Sequence, residues 1–106
     1  MVAAPMRGEV WWGEVLDAKP RPYLVLTRDE AIPVLRRILV APVTRSVRGI
    51  PTEVPLGPPE GLPAECVASL DNVVTLSKVM LVRRLGTLSP DRRREPCEAL
   101  RAATDC

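Results

Sequence analysis

Histidine is absent from the 106-residue chain. With it go the commonest general acid–base, the commonest zinc ligand and every histidine-based nucleophilic triad. Phenylalanine is absent as well, and Trp11, Trp12 and Tyr23 are the whole aromatic complement. The core must therefore be aliphatic, and an aromatic base-stacking platform of the RNA-recognition-motif kind is excluded. Cysteine is sparse: Cys66, Cys97 and Cys106 form an odd number with no C-x-x-C pair. That suits reduced thiols in a cytoplasmic protein better than a disulfide framework or a metal site. No apolar run approaches the roughly 18 residues that span a bilayer, and the opening residues hold no apolar region long enough for a signal peptide. P-loop, G-x-G-x-x-G and G-x-S-x-G motifs are missing. So is a charge excess of one sign: 15 Lys and Arg face 13 Asp and Glu, a net charge of +2. Nucleic-acid binding would then have to come from local patterning rather than bulk charge.

What is present reads as one globular domain. The composition, 46% hydrophobic and 26% charged, is ordinary for folded chains, and the length fits a domain of roughly 100–150 residues. Residues 1–5 are expected to be a disordered tail and 6–106 the single domain. Twelve prolines, against a usual share of about 5%, favour many short strands over a helical bundle. Strands are predicted at Glu9–Leu16, Tyr23–Leu26, Arg37–Val43, Thr52–Leu56, Cys66–Leu76 (interrupted at Asp71-Asn72) and Val82–Leu88. Neighbours on a strand face opposite ways, so one of Trp11 and Trp12 should face the core and the other solvent or a partner. Thr27 reads as the N-cap of a brief helix over Asp29 and Glu30, ended near Pro33. Ser89-Pro90-Asp91 reads as the start of a C-terminal helix with Cys97, Leu100 and Ala103 on one face. Pro96 should kink or delay that helix. The sum is mainly β with a C-terminal helix, closed as an SH3-like small barrel that removes exposed strand edges.

Arg21 enters the second strand, and Thr44-Arg45-Ser46 leaves the third, with Arg48 beyond. Hydroxyls together with guanidinium groups supply what a phosphate needs: point donors and a planar bidentate fork. The same residues also suit solvated strand ends. Asn72 either marks a turn or presents an amide able to read a base edge. Arg83-Arg84 and Arg92-Arg93-Arg94 fit solvated faces, and Asp29-Glu30 lack the matching acid of a two-carboxylate hydrolase.

Six pieces then fall in order. They are Arg7-Gly8-Glu9-Val10-Trp11-Trp12; Arg21-Pro22-Tyr23-Leu24-Val25-Leu26; Ala41-Pro42-Val43-Thr44; Thr52-Glu53-Val54-Pro55-Leu56; Cys66-Val67-Ala68-Ser69-Leu70-Asp71-Asn72 with Thr75-Leu76; and Arg84-Leu85-Gly86-Thr87-Leu88-Ser89. The chain resembles the MazF/PemK toxins of type II toxin–antitoxin systems, most closely the mycobacterial branch with a short first loop. That resemblance implies a PemK/MazF/CcdB-like fold. It also implies a cytoplasmic homodimer without cofactor or membrane contact, neutralised by a cognate MazE-like antitoxin whose acidic tail folds across a basic groove. The implied activity is sequence-specific, metal-independent cleavage of single-stranded RNA. The 2′-OH attacks phosphorus and leaves 2′,3′-cyclic phosphate and 5′-OH ends, inhibiting translation and growth. The family's catalytic pair falls on Arg21 and Thr44. Arg28, Arg45, Ser46, Arg48 and Asn72 are the candidate RNA contacts. Only Leu16–Pro20 remain of the first loop, which leaves Asp17 as the acid at hand for a general base. The alternative is a non-cleaving protein on the same fold, either gyrase-inhibitor-like or a binder of RNA or protein with a degenerate site. Salt-dependent RNA affinity without cleavage would mark it. An SH3-like adaptor ranks below both, because three aromatics are too few for its ligand groove.

Overall fold

The computed structural model describes residues 4–105. The expected tail at residues 1–5 falls mostly outside them. Of its two described members Ala4 is exposed, but Pro5 is buried. Seven strands form one bent antiparallel sheet: β1 (Glu9–Gly13), β2 (Arg21–Val25), β3 (Arg37–Thr44), β4 (Glu53–Leu56), β5 (Cys66–Ser69), β6 (Val74–Ser77) and β7 (Leu81–Thr87). The helix α1 (Glu95–Thr104) follows. Strand order is β4-β5-β3-β2-β1-β7, with β6 pairing β3. The first half of β3 pairs β6 and its end pairs β5, so this strand carries the bend of a half-barrel.

The long fifth strand read from sequence is two strands. Leu70–Asn72 form a 3-10 turn between them, held by Thr52 Oγ1 donating to Asp71 Oδ2 (2.6 Å) and Asn72 Nδ2 donating to Ser69 Oγ (2.8 Å). Among the described residues no strand pairing joins β4 to β7. The segment after β4 covers that gap. Gly61, at φ +86, lies so close to β7 that a Cβ there would strike the Leu85 carbonyl, and a Cβ on Gly86 would strike the Glu60 carbonyl. Glu60 is 4% exposed. Its carboxylate accepts from Gly57 N–H (2.7 Å) and pairs with Arg92 (3.2 Å).

Alternation sorts the side chains into two buried clusters. Val10, Leu24, Ala41, Val54, Leu56, Leu70, Leu88 and Ala99 pack between the sheet and α1. Trp11, Tyr23, Val25, Ile38, Val40, Leu76 and Leu81 fill the other side. Trp11 is the inward tryptophan. Its indole N–H reaches Glu9 Oε1 (3.0 Å), whose other oxygen pairs with Arg84 (3.1 Å), satisfying the polar end of a buried ring. Trp12 is half-buried on the opposite face.

Local expectations are corrected in two segments. No helix forms at Thr27–Glu30. The Thr27 hydroxyl accepts instead from Leu39 N–H (2.7 Å), Asp29 accepts from Arg7 N–H (2.7 Å), and turns run through to Leu35. Tertiary partners thus take the groups that would have capped a helix. The C-terminal helix begins at Glu95, after a separate 3-10 turn at Pro90–Arg92. Pro96 sits in its first turn, where the missing N–H has no intrahelical partner to lose, so it starts the helix rather than kinking it. The buried face carries Pro96 and Ala99, with Leu100 and Ala103 packed beside them. Cys97 points outward, accepting from Arg7 Nη2 at 2.8 Å. Among the described residues no helix is long and apolar enough to cross a membrane.

Candidate active site

The register of β2 against β3 builds the centre of the site. Tyr23 pairs with Pro42 and Leu24 with Ala41. Carried two residues further toward the strand ends, that register brings Arg21 level with Thr44. Strand alternation then turns Arg21, Pro42 and Thr44 to one side of the ridge, and Pro22 and Val43 to the other. Arg21 stands at the start of β2 because the chain turns sharply just before it. Ala18 N–H closes on the Val15 carbonyl (3.2 Å), and Asp17 takes a left-handed φ of 63°, a conformation aspartate tolerates better than most residues.

Arg21, Pro42 and Thr44 form one wall of an open cleft of about 1150 Å³. The loop after β3 contributes Ser46, Arg48 and Ile50; β4 contributes Glu53; the turn between β5 and β6 contributes Ser69, Asp71 and Asn72. The loop is held from within. Thr44 Oγ1 accepts from Ser46 N–H (3.1 Å). The Glu53 carboxylate accepts from the backbone N–H groups of Arg48 (3.1 Å) and Gly49 (2.9 Å). Among the described residues neither the Arg21 nor the Arg48 guanidinium has a hydrogen-bond or ion-pair partner. By contrast Arg84 and Arg92 are held by Glu9, Glu60 and Glu95. The cleft therefore offers two free planar forks, a strand-end hydroxyl and two carboxylates, which is an environment able to hold a phosphate and accept a proton.

Of the residues singled out from sequence, Arg21, Thr44, Ser46, Arg48 and Asn72 line this cleft. Three do not. Arg28 lies in a separate hollow with Arg7, Asp29, Glu30 and Arg93. The five residues of β2, about 16 Å of strand, carry the chain away before Arg28 is reached. Arg45 follows Thr44 and lines a second, more apolar hollow of about 630 Å³ with Trp12, Pro22, Val43, Leu62, Pro63 and Cys66. Asp17 is exposed in the turn before β2 and lines neither. The residues missed were Glu53, Ser69 and Asp71. Asp71 was visible only as half of a turn signal. Glu53 reaches the cleft because β4 pairs β5 with Glu53 opposite Ser69, a contact with no local signature. Burial pushes the Cys66 thiol up, Glu60 adds to the effect and Arg45 opposes it, which leaves that cysteine a packing residue. Among the described residues no group of three or more Cys, Asp or Glu is placed to hold a metal ion.

A family model described as PemK-like, MazF-like toxin of type II toxin–antitoxin system matches residues 6–104. The "Probable endoribonuclease MazF5" of Mycobacterium tuberculosis is 49% identical over 107 residues, covering 100% of this chain and 98% of that protein. Among solved structures, the Mycobacterium tuberculosis toxin MazF-mt6 superposes with a TM-score of 0.84 at 36% identity, covering 92% of this chain and 96% of the other. An endoribonuclease in complex with its cognate antitoxin, from a mycobacterial species, gives 0.83 at 28% identity, covering 96% of each chain.

Proposed function

The chain belongs to the PemK-like, MazF-like toxins of type II toxin–antitoxin systems, and we propose that it is an endoribonuclease whose reacting centre is the Arg21–Thr44 pair. It cleaves single-stranded RNA sequence-specifically, without a metal ion. The observation that carries this reading is the meeting of Arg21 and Thr44, 23 residues apart in sequence, on facing strand ends in one cleft. The 2′-oxygen of the ribose bonds to the adjacent phosphorus as the bond from phosphorus to the 5′-oxygen breaks. The products are a 2′,3′-cyclic phosphate and a 5′-OH. The Arg21 guanidinium and the Thr44 hydroxyl donate to the phosphorane oxygens, where negative charge builds up. A guanidinium is not a general acid in proteins, so the leaving oxygen takes its proton from water. The proton of the 2′-OH goes to a carboxylate. Asp17 lies outside the cleft, and both oxygens of Glu53 accept backbone N–H groups. Asp71 accepts from Thr52 through one oxygen and is assigned the role.

Ser46, Arg48 and Asn72 read and hold the bases and phosphates beside the cut, with Arg45 in the neighbouring hollow. The protein works in the cytoplasm as a homodimer, and exposed Val74, Val79 and Val82 on the β6–β7 stretch supply apolar surface for a second copy. Its MazE-like antitoxin lays an acidic segment over Arg21 and Arg48. The test is incubation with a long mixed-sequence RNA in EDTA, beside Arg21→Ala, with the ends mapped. Discrete cuts leaving 5′-OH ends, lost in the variant, are expected. Intact RNA with folded protein would overturn the nuclease reading in favour of a binding protein on the same fold.

A further inference from the structure

The hollow on the far side of the β2–β3 ridge is unlike the cleft. Trp12, Pro22 and Val43 stand in one cross-strand row: Trp12 pairs with Pro22, and the β2–β3 register continues from Pro22 to Val43. Leu62, Pro63 and Arg45 line the same hollow. Thr44 borders both hollows. Trp12 follows the alternation of Val10, whose side chain is fully buried. The sheet face that forms one core therefore opens at its end into a slot with an indole as one wall. Arg83 pairs opposite Trp12 on β7 and is exposed, adding positive charge to the same edge.

We propose that this slot is a nucleobase subsite: it takes the base of a nucleotide flanking the scissile phosphate, stacked on Trp12. The inference rests on the ribonuclease reading and deepens it. A flat, apolar, sequence-tolerant wall suits a base because every base has a π-face. Pro22 and Pro63 in the lining give rigid edges, and the Arg45 and Arg83 charges suit the phosphates on either side. Continuity through Thr44 sets the register. With a phosphate held between Arg21 and Thr44, the strand crosses the ridge and the neighbouring base drops into the slot. One stacking tryptophan does not make the aromatic platform that the composition excludes; it makes one pocket for one base.

The test uses wild type, Trp12→Leu and Trp12→Phe on the same mixed-sequence RNA, with base frequencies read at each position beside the cuts. Loss of one stacking contact should slow cleavage about 5- to 150-fold. It should also flatten the base preference at a single position next to the cut. Trp12→Phe should retain most of both. A second measurement does not depend on the leucine variant folding. In Arg21→Ala, quenching of indole emission by iodide reports mainly on Trp12, because Trp11 is 3% exposed. Bound RNA should protect it. Wild-type protein that cuts nothing overturns the ribonuclease reading and the subsite with it. A wild type that cuts, with Trp12→Leu unchanged in rate and base profile and no protection by RNA, overturns the subsite alone. So does a Trp12→Leu protein that cuts normally but escapes its antitoxin.

Discussion

Replacing Arg92 by leucine should be among the most damaging single changes away from the cleft. Arg92 sits in the turn before α1 and uses its whole fork. Nε and Nη2 grip Glu95 at 2.9 and 2.7 Å, Nη1 reaches Glu60 at 3.2 Å, and Nη2 also donates to the Pro55 carbonyl. The Glu95 side chain is 40% exposed, so that pair is screened by solvent and contributes less than about 1 kcal/mol. The Glu60 side chain is 5% exposed. Without Arg92 it keeps the Gly57 N–H as its hydrogen-bond partner and becomes an uncompensated buried charge, costing about 3–5 kcal/mol. For a domain of this size that is a fall in Tm of roughly 13–22 °C, and the loss is a large part of a typical total stability of about 5–15 kcal/mol. Urea and thermal unfolding followed by circular dichroism would measure it. Adding Glu60→Leu should recover most of the loss, since removing both members of a buried pair is far milder than removing one. The pH arm has a definite sign. The hydrogen bond from Arg92, ahead of its charge and against the effect of burial, holds the Glu95 carboxyl below its ordinary value. A depressed carboxyl stabilises the fold above its unfolded pKa of about 4.3. That stabilisation is lost as pH falls through the lower folded value, and Arg92→Leu should remove this part of the acid slope. A loss below 1 kcal/mol in Arg92→Leu, or a double variant no more stable than the single, would refute the reasoning.

Thr44→Val should lower kcat by about 10²–10³ and leave Tm nearly unchanged, because in the free protein the hydroxyl only accepts from Ser46 N–H; a variant with full activity removes Thr44 from the reacting centre. Gly86→Ala should cost about 1–3 kcal/mol or more, because its Cβ meets the Glu60 backbone carbonyl, which is not the end of a flexible side chain; urea midpoints check it. In a Cys106→Ser background, maleimide at pH 7 should modify exposed Cys97 quickly and buried Cys66 only after unfolding. Burial raises the Cys66 thiol above its ordinary value, so its part in stability is present below the unfolded pKa of about 8.5 and fades as pH rises through the folded one.

By itself the sequence determined the strands, the terminal helix and five of the residues that line the cleft. Those features are local: apolar alternation, proline and glycine punctuation, and an arginine and a threonine at strand ends act within a few residues of chain. Its errors were places where distant partners decide. The fifth strand breaks into β5 and β6 because both pair with one bent β3. Thr27 serves Leu39 across the sheet instead of capping a helix. Ser89-Pro90-Asp91 opens a 3-10 turn whose arginine is drawn to buried Glu60, and α1 starts only afterwards. The tertiary structure alone decided which polar residues meet. It brought Glu53 and Asp71 into the cleft through the β4–β5 pairing and the β5–β6 turn. It sent Arg28 to the far end of β2 and placed Arg45 beside Trp12 in the second hollow. The physical reason is the strand itself. Its length separates residues near in sequence by many ångströms, its alternation divides neighbours between faces, and its register joins residues that no local pattern connects.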